Sequence, residues 1–174
     1  MVLGHSMRSI ILGNSGSGKT WLARKLSANF SIPIIHFDEV FWEPGGFDTP
    51  REIKKVQSMI KKSKHSDSWI AEGVFGHIAE YYLDVAQSVI WLDLPWDICF
   101  KRLKNRGTES KKHMGREESE AGHKEVITWA SQYYERKSKS SYYGHSVIYE
   151  NFLKTKIRLK SEDKVRQFIQ NPTI

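Results

Sequence analysis

The chain has a single cysteine, five prolines and no apolar run near the ~18 residues that a membrane-spanning helix needs. Cys99 alone cannot close an internal disulfide. This fits a reducing compartment, and the expectation is a cytoplasmic protein that makes no use of a membrane. Cys99 lies in a helical pattern and reads as a small core residue rather than a reactive thiol. The seven histidines include no pair at metal-ligand spacing, which argues against a histidine zinc site. No helix-turn-helix, zinc-finger or RNA-binding signature is visible. There is no Asn-Lys-x-Asp guanine reader, as a GTPase would require, and Asp93 is followed by Leu94 where a motor ATPase carries a second acid. Internal repeats and low-complexity stretches are also missing.

The 174 residues suffice for one domain with a full core. Residues 1–7 read as an expression remnant before a natural start at Met7, leaving 8–174 as a single domain. The formal charge is +7, from 27 Lys and Arg against 20 Asp and Glu, which favours polyanionic partners, either nucleotides or nucleic acid. The excess is spread over several segments and does not choose between them.

The chain is organised around Gly13-Asn14-Ser15-Gly16-Ser17-Gly18-Lys19-Thr20. An apolar run, Ser9-Ile10-Ile11-Leu12, precedes it and a helical pattern from Trp21 follows it. This is the G-x-x-x-x-G-K-[ST] spacing of a phosphate-binding P-loop, in its strand–loop–helix context. Small residues let successive backbone N–H groups turn inward as an anion nest, and the helix adds its positive end to the same spot. Lys19 supplies a mobile charge for the β- and γ-phosphates, and the Thr20 hydroxyl can ligate Mg²⁺.

Downstream, 32–37 reads as a short buried strand ending in Asp38-Glu39, followed by a turn-rich aromatic loop over 40–50. Thr49, Pro50 and Glu52 read as a helix start, with Ile53, Val56, Met59 and Ile60 on one face. Further strands are expected at 68–73, 88–95 and 156–160, and helices at 76–86, 96–105, 121–138 and 162–170. Residues 145–153 fit helix or strand. Residues 107–120, polar and with no apolar face, are expected to form a lid. Strands alternating with helices imply an α/β fold with a parallel sheet and right-handed crossovers, whose ligands bind at the carboxyl ends of the strands.

Asp38, Glu72 and Asp93 then stand at three strand ends beside the P-loop. Of these, Glu72 and Asp93 are the candidates to position Mg²⁺, and Asp38 to meet the acceptor hydroxyl. Alternatively, the acids cap the helices that follow. Phosphoryl transfer needs alignment and charge neutralisation, and Arg102, Arg106, Arg116 and Arg136 flank or lie in the expected lid. Arg51 is a weaker candidate to grip an acceptor anion. Phe41, Trp42 and Phe47 would either stack on a flat acceptor or form a small core under a flap.

The P-loop, His36-Phe37-Asp38, Phe41-Trp42-Glu43-Pro44-Gly45, Thr49-Pro50-Arg51-Glu52, Glu72-Gly73, Trp91-Leu92-Asp93-Leu94-Pro95, Arg102 and Leu159-Lys160-Ser161 together resemble the adenylate-kinase-like topology modulation proteins over nearly all of 8–168. The resemblance implies a P-loop NTPase three-layer sandwich with sheet order 2-3-1-4-5, an acceptor flap near 39–66 and a lid near 107–120. It implies ATP on Gly13–Thr20, Mg²⁺ on Thr20, an acceptor near Glu72-Gly73 (where these kinases carry Asp-Gly), and adenine near Ser161. The expectation is an ATP-dependent kinase of a small acceptor, a nucleotide or nucleoside, acting as a monomer or weak homodimer. The rival is an ATP-binding regulator associated with DNA, prompted by the net charge and the group's label.

Overall fold

The computed structural model describes residues 6–44, 49–107 and 120–174. In chain order it contains β1 (Arg8–Gly13), α1 (Lys19–Phe30), β2 (Ile34–His36), α2 (Phe37–Phe41), α3 (Ile53–Lys64), β3 (Trp69–Gly73), α4 (Gly76–Ala79), β4 (Ser88–Leu92), α5 (Trp96–Arg106), α6 (Glu120–Ser131), α7 (Tyr142–Asn151), β5 (Thr155–Leu159) and α8 (Glu162–Gln170). Single 3₁₀ turns at Glu80–Tyr82 and Gln132–Tyr134 extend α4 and α6.

The strands form one five-stranded parallel sheet, ordered β2-β3-β1-β4-β5. The apolar runs of β1, β3 and β4 split between its two faces by the two-residue period of a strand. Ile10, Leu12, Trp69, Ala71, Val89 and Trp91 face a core closed by α3, α4 and α7. Ile11, Ile70, Ile90 and Leu92 face a second core closed by α1, α5 and α8, where Cys99 is also buried. The result is the expected three-layer P-loop sandwich, and the loops after β1, β2, β3 and β4 gather at one edge of the sheet.

Several boundaries differ from the sequence expectation. Strand β2 pairs over three residues only, and the chain turns at once into α2, so Asp38 lies on a helical turn rather than at a strand tip. The helix expected from Pro50 starts at Ile53. Instead, Trp42 and Pro50 form an antiparallel bridge, with Glu43 N–H donating to Thr49 O (3.0 Å) and Arg51 N–H to Phe41 O (2.7 Å). The bridge is closed by the N–H groups of Glu43 and Arg51 and needs none from position 50, which suits a proline, while Trp42 N–H donates to Asp38 O (2.9 Å) at the end of α2.

The helix expected over 76–86 stops at Ala79. Tyr82 is fully buried against Trp69 and Phe37, and the chain must straighten to join the sheet at Ser88. The helix expected over 121–138 ends at Ser131 because Tyr133 turns inward to Trp91. Residues 145–153 resolve mainly into helix α7, capped by the Ser141 hydroxyl, with Ile148 and Phe152 in the core. The expected lid, including Arg116, and Phe47 of the aromatic loop lie outside the described residues apart from the lid's two end positions.

Candidate active site

At the carboxyl end of β1 the backbone leaves the sheet through two left-handed glycines, Gly16 (φ 80°) and Gly18 (φ 94°). A side chain at Gly16 would also collide with α5, since a Cβ there would sit 2.5 Å from the Cys99 carbonyl oxygen. The loop therefore wraps tightly on α5 before α1 begins. The Asn14 carboxamide oxygen accepts from Ser15 N–H (2.8 Å), and its nitrogen donates to Ala130 O in α6 (2.9 Å). Lys19 is buried and donates from Nζ to Asn14 O (2.8 Å). Burial holds its amine below the usual lysine range, with the charge of Arg106 adding to this, while Glu72 and Asp38 pull the other way. Two sequence-predicted acids therefore lie close enough to act on the P-loop lysine.

Glu72, at the end of β3, is buried and connects the two sides of this edge. It accepts from Thr20 Oγ1 (3.0 Å) and pairs with His36 Nδ1 (2.6 Å). Burial alone would raise its pKa, but the His36 hydrogen bond and the Lys19 charge hold it below the usual carboxylate range. Burial pulls His36 down, yet the same bond and charge from Glu72 leave it raised. The acid is thus kept ionised. His36 carried no assigned role in the sequence. It is the in-register neighbour of Glu72 across β2 and β3, a lateral relation that only the sheet supplies.

The remaining candidates divide. Arg102 grips the back of the P-loop, Nη1 donating to Ser17 O (2.8 Å), and Nη2 donates to Glu162 (2.7 Å). Arg106 acts on Lys19 through its charge. Asp93 binds Arg158 through Nε (2.9 Å) and Nη2 (2.8 Å), and that guanidinium lies 4.2 Å from the Trp91 ring centre. Arg51 is tied to Glu43 (2.9 Å) and to the carbonyls of Glu39 and Trp42, which stitches the flap to itself. Gly73 lets Phe37 pack directly on β3, and Ser161 caps α8 by accepting from Lys164 N–H (3.2 Å). Arg136 stacks on Trp129 and donates to Ser140 O (3.1 Å). Arg158, Glu162 and His145 carried no assigned role in the sequence, and their roles come from partners distant along the chain.

On the flap side Phe41, Trp42, Phe75 and His77 form an aromatic cluster. A cavity of about 430 Å³ borders it, lined among others by Phe41, Ile53, Tyr81 and Lys139. That is within the size range of small-molecule sites. Ser17 Oγ is buried and has no hydrogen-bond partner among the described residues, as a loop awaiting an anion would leave it. Among the described residues there is no cluster of three or more acidic, histidine or cysteine ligands. Thr20 and Glu72 do offer the hard oxygen donors that suit Mg²⁺, which takes one or two carboxylates and completes its shell with phosphates and water. No helix among the described residues is long and apolar enough to cross a membrane.

A family model described as an AAA domain matches residues 10–123, about two thirds of the chain. Among solved structures the chain resembles a gluconokinase from Sinorhizobium meliloti 1021, with a TM-score of 0.55 at 9% identity, covering 95% of this chain and 88% of that one. It resembles a shikimate kinase from Bacteroides thetaiotaomicron with a TM-score of 0.55 at 15% identity, covering 94% of each chain. A sugar kinase from Janibacter sp. HTCC2649 gives 0.52 at 14% identity, covering 95% and 91%. At these identities the likeness establishes the P-loop kinase fold. No curated protein matches the chain.

Proposed function

The chain belongs to the AAA-domain family, and from that premise we propose that it is an ATP-dependent phosphotransferase acting on a small acceptor, with nucleotides and nucleosides the first candidates. The observation that carries this is the Thr20–Glu72–His36 chain beside Lys19. A hydroxyl, an ionised carboxylate and a buried amine meet where the loop amides would hold a triphosphate. Lys19 gives up Asn14 O and turns its Nζ to the β- and γ-phosphates. Thr20 and, directly or through water, Glu72 would hold Mg²⁺, which would supply charge neutralisation along the phosphate chain. His36 fixes the Glu72 carboxylate in its ionised form. Asp38, close enough to act on Lys19, orients the acceptor hydroxyl and takes its proton.

Asp93 and Arg51 are assigned to their ion pairs rather than to metal or acceptor. The Phe41-Trp42-Glu43-Pro44 and Thr49-Pro50-Arg51-Glu52 pieces resemble those of the topology modulation proteins and support a finer reading within that group. The likeness of fold to sugar and shikimate kinases supports a small-molecule acceptor. The test is ATP turnover against nucleoside monophosphates, nucleosides, sugars and shikimate-like acids. Stimulation by one acceptor is the expected result. Turnover indifferent to all of them, beside salt-dependent DNA binding, would favour the regulator.

A further inference from the structure

Arg136 follows the turn that ends α6, and its surroundings are unusual for a cation. Its guanidinium lies 3.6 Å from the Trp129 ring centre, and only Nη2 donates a hydrogen bond, to Ser140 O. Nε and Nη1 are buried and have no partner among the described residues. A guanidinium carries five N–H donors and no acceptor, and buried donors left unmet are costly. Folded proteins keep such groups rarely and for a reason.

The segment that carries Arg136 is fastened to both sides of the site. Asn14 of the P-loop donates to Ala130 O just before it (2.9 Å). Just after it, His145 Nε2–H donates to Val74 O (2.8 Å), one residue beyond Glu72-Gly73. Between these anchors the Lys139 carbonyl presses on Gly76 so closely that a Cβ there would lie 2.0 Å from its oxygen. Arg136 is therefore held in the stretch that joins the P-loop to the end of β3.

We propose that Arg136 is the receptor for a carboxylate or phosphate on the acceptor, so that the acceptor is an anionic small molecule and not a neutral sugar or nucleoside. This rests on the kinase reading above and narrows it. The Trp129 face holds the guanidinium flat and already ordered, so little is lost when an anion docks. The three N–H donors of Nε and Nη1 are covered in this conformation, so docking slides the cation along the indole. That motion makes Trp129 a reporter.

The full chain, saturated with Mg²⁺ and a non-hydrolysable ATP analogue to fill the P-loop, is titrated with inorganic phosphate by calorimetry and by tryptophan emission. Wild type binds phosphate with a change in emission. Arg136→Gln weakens that binding about 10- to 100-fold, the loss expected for charge-assisted hydrogen bonds to one anion. Arg136→Lys, which keeps the charge, falls between the two and covers the case in which the Gln variant fails to fold. Trp129→Phe keeps the calorimetric signal and loses most of the emission change. In turnover, nucleoside monophosphates or sugar acids stimulate and their uncharged counterparts do not, and Arg136→Gln raises KM for the acceptor far more than it lowers kcat. Phosphate and carboxylate acceptors tested side by side say which anion is read. Phosphate binding unchanged in folded Arg136→Gln, or turnover confined to a neutral acceptor, overturns the proposal. Failure of the ATP analogue itself to bind overturns the kinase reading and the proposal with it.

Discussion

His145 should make the protein measurably acid-sensitive, by an amount that follows from its hydrogen bonds. Its Nε2 faces the Val74 carbonyl (2.8 Å), which can only accept, so Nε2 carries the proton. Nδ1 is then bare and accepts from the Tyr133 hydroxyl (2.7 Å), whose oxygen in turn accepts from Trp91 Nε1–H (3.2 Å). Every group in this fully buried chain is satisfied only while the imidazole is neutral. Burial pushes the His145 pKa from 6.5 down to about 3, and the nearby Lys19 and Arg136 charges push in the same direction. The unfolded chain therefore binds a proton that the folded chain refuses. Stability is intact above the unfolded pKa and erodes as pH falls below it, at about 1.4 kcal/mol per pH unit until the folded pKa is reached. Between about pH 7.5 and about pH 5 the loss through His145 alone is about 2 kcal/mol.

The assay is urea unfolding of wild type and His145→Gln at both pH values. Glutamine keeps a donor and an acceptor but cannot titrate. Glu72, with a lowered pKa, loses its contribution below this window. His36, with a raised pKa, contributes in the opposite sense within it, and does so in both proteins. The difference between the two proteins therefore isolates His145. The variant is expected to be less stable at neutral pH, with a gap that narrows by about 2 kcal/mol on acidification. Parallel losses in the two proteins would refute the neutral, buried imidazole.

Three further outcomes are expected. Lys19→Ala removes the mobile charge at the loop, and turnover of ATP should fall on the order of 10²–10³-fold while melting stays near that of wild type; unchanged turnover would count against the site. Gly16→Ala forces a Cβ into the Cys99 carbonyl at a left-handed φ, and a loss of about 1–3 kcal/mol should appear in denaturant unfolding. Ser161→Ala deletes the cap of α8 and should cost about 0.5–2 kcal/mol while leaving KM for ATP alone, whereas a rise in KM would point to an adenine contact at this position.

The parallel sheet and the P-loop were legible because each rests on local pattern, whereas the strand order was expected only from the family resemblance. Ile10-Ile11-Leu12 followed by the glycine loop could hardly be anything else, and the acids at 72 and 93 lie within one residue of the ends of β3 and β4. What stayed hidden depends on lateral neighbours. His36 meets Glu72 because β2 and β3 pair in that register, and Arg158 meets Asp93 from β5, the strand beside β4. Asp93 and Arg51 are candidates in sequence because charge beside a P-loop is the signal being read, and the structure shows each in an ion pair. Nothing local says that the partner of Asp93 is an arginine 65 residues further on. The two truncated helices share one cause. Tyr82 and Tyr133 each turn into the core where helical periodicity would have carried the chain onward, and tertiary burial overrides local propensity.

The charge arrangement at the P-loop explains why this edge suits a phosphate only in company. Burial already disfavours the Lys19 cation, and the carboxylates of Glu72 and Asp38 work against that. Those same carboxylates would repel a triphosphate brought to Lys19. Removing them would leave a buried lysine inclined to lose its proton; keeping them demands a second positive charge when the phosphates arrive. The Thr20 hydroxyl, now donated to Glu72, is at the place where that charge would be held, and His36 keeps the acid from answering the conflict by taking up a proton. A loop that merely bound anions would have no use for an ionised, buried Glu72. A loop that binds a metal–triphosphate requires one, which is why the kinase reading turns on Glu72 as much as on the glycines.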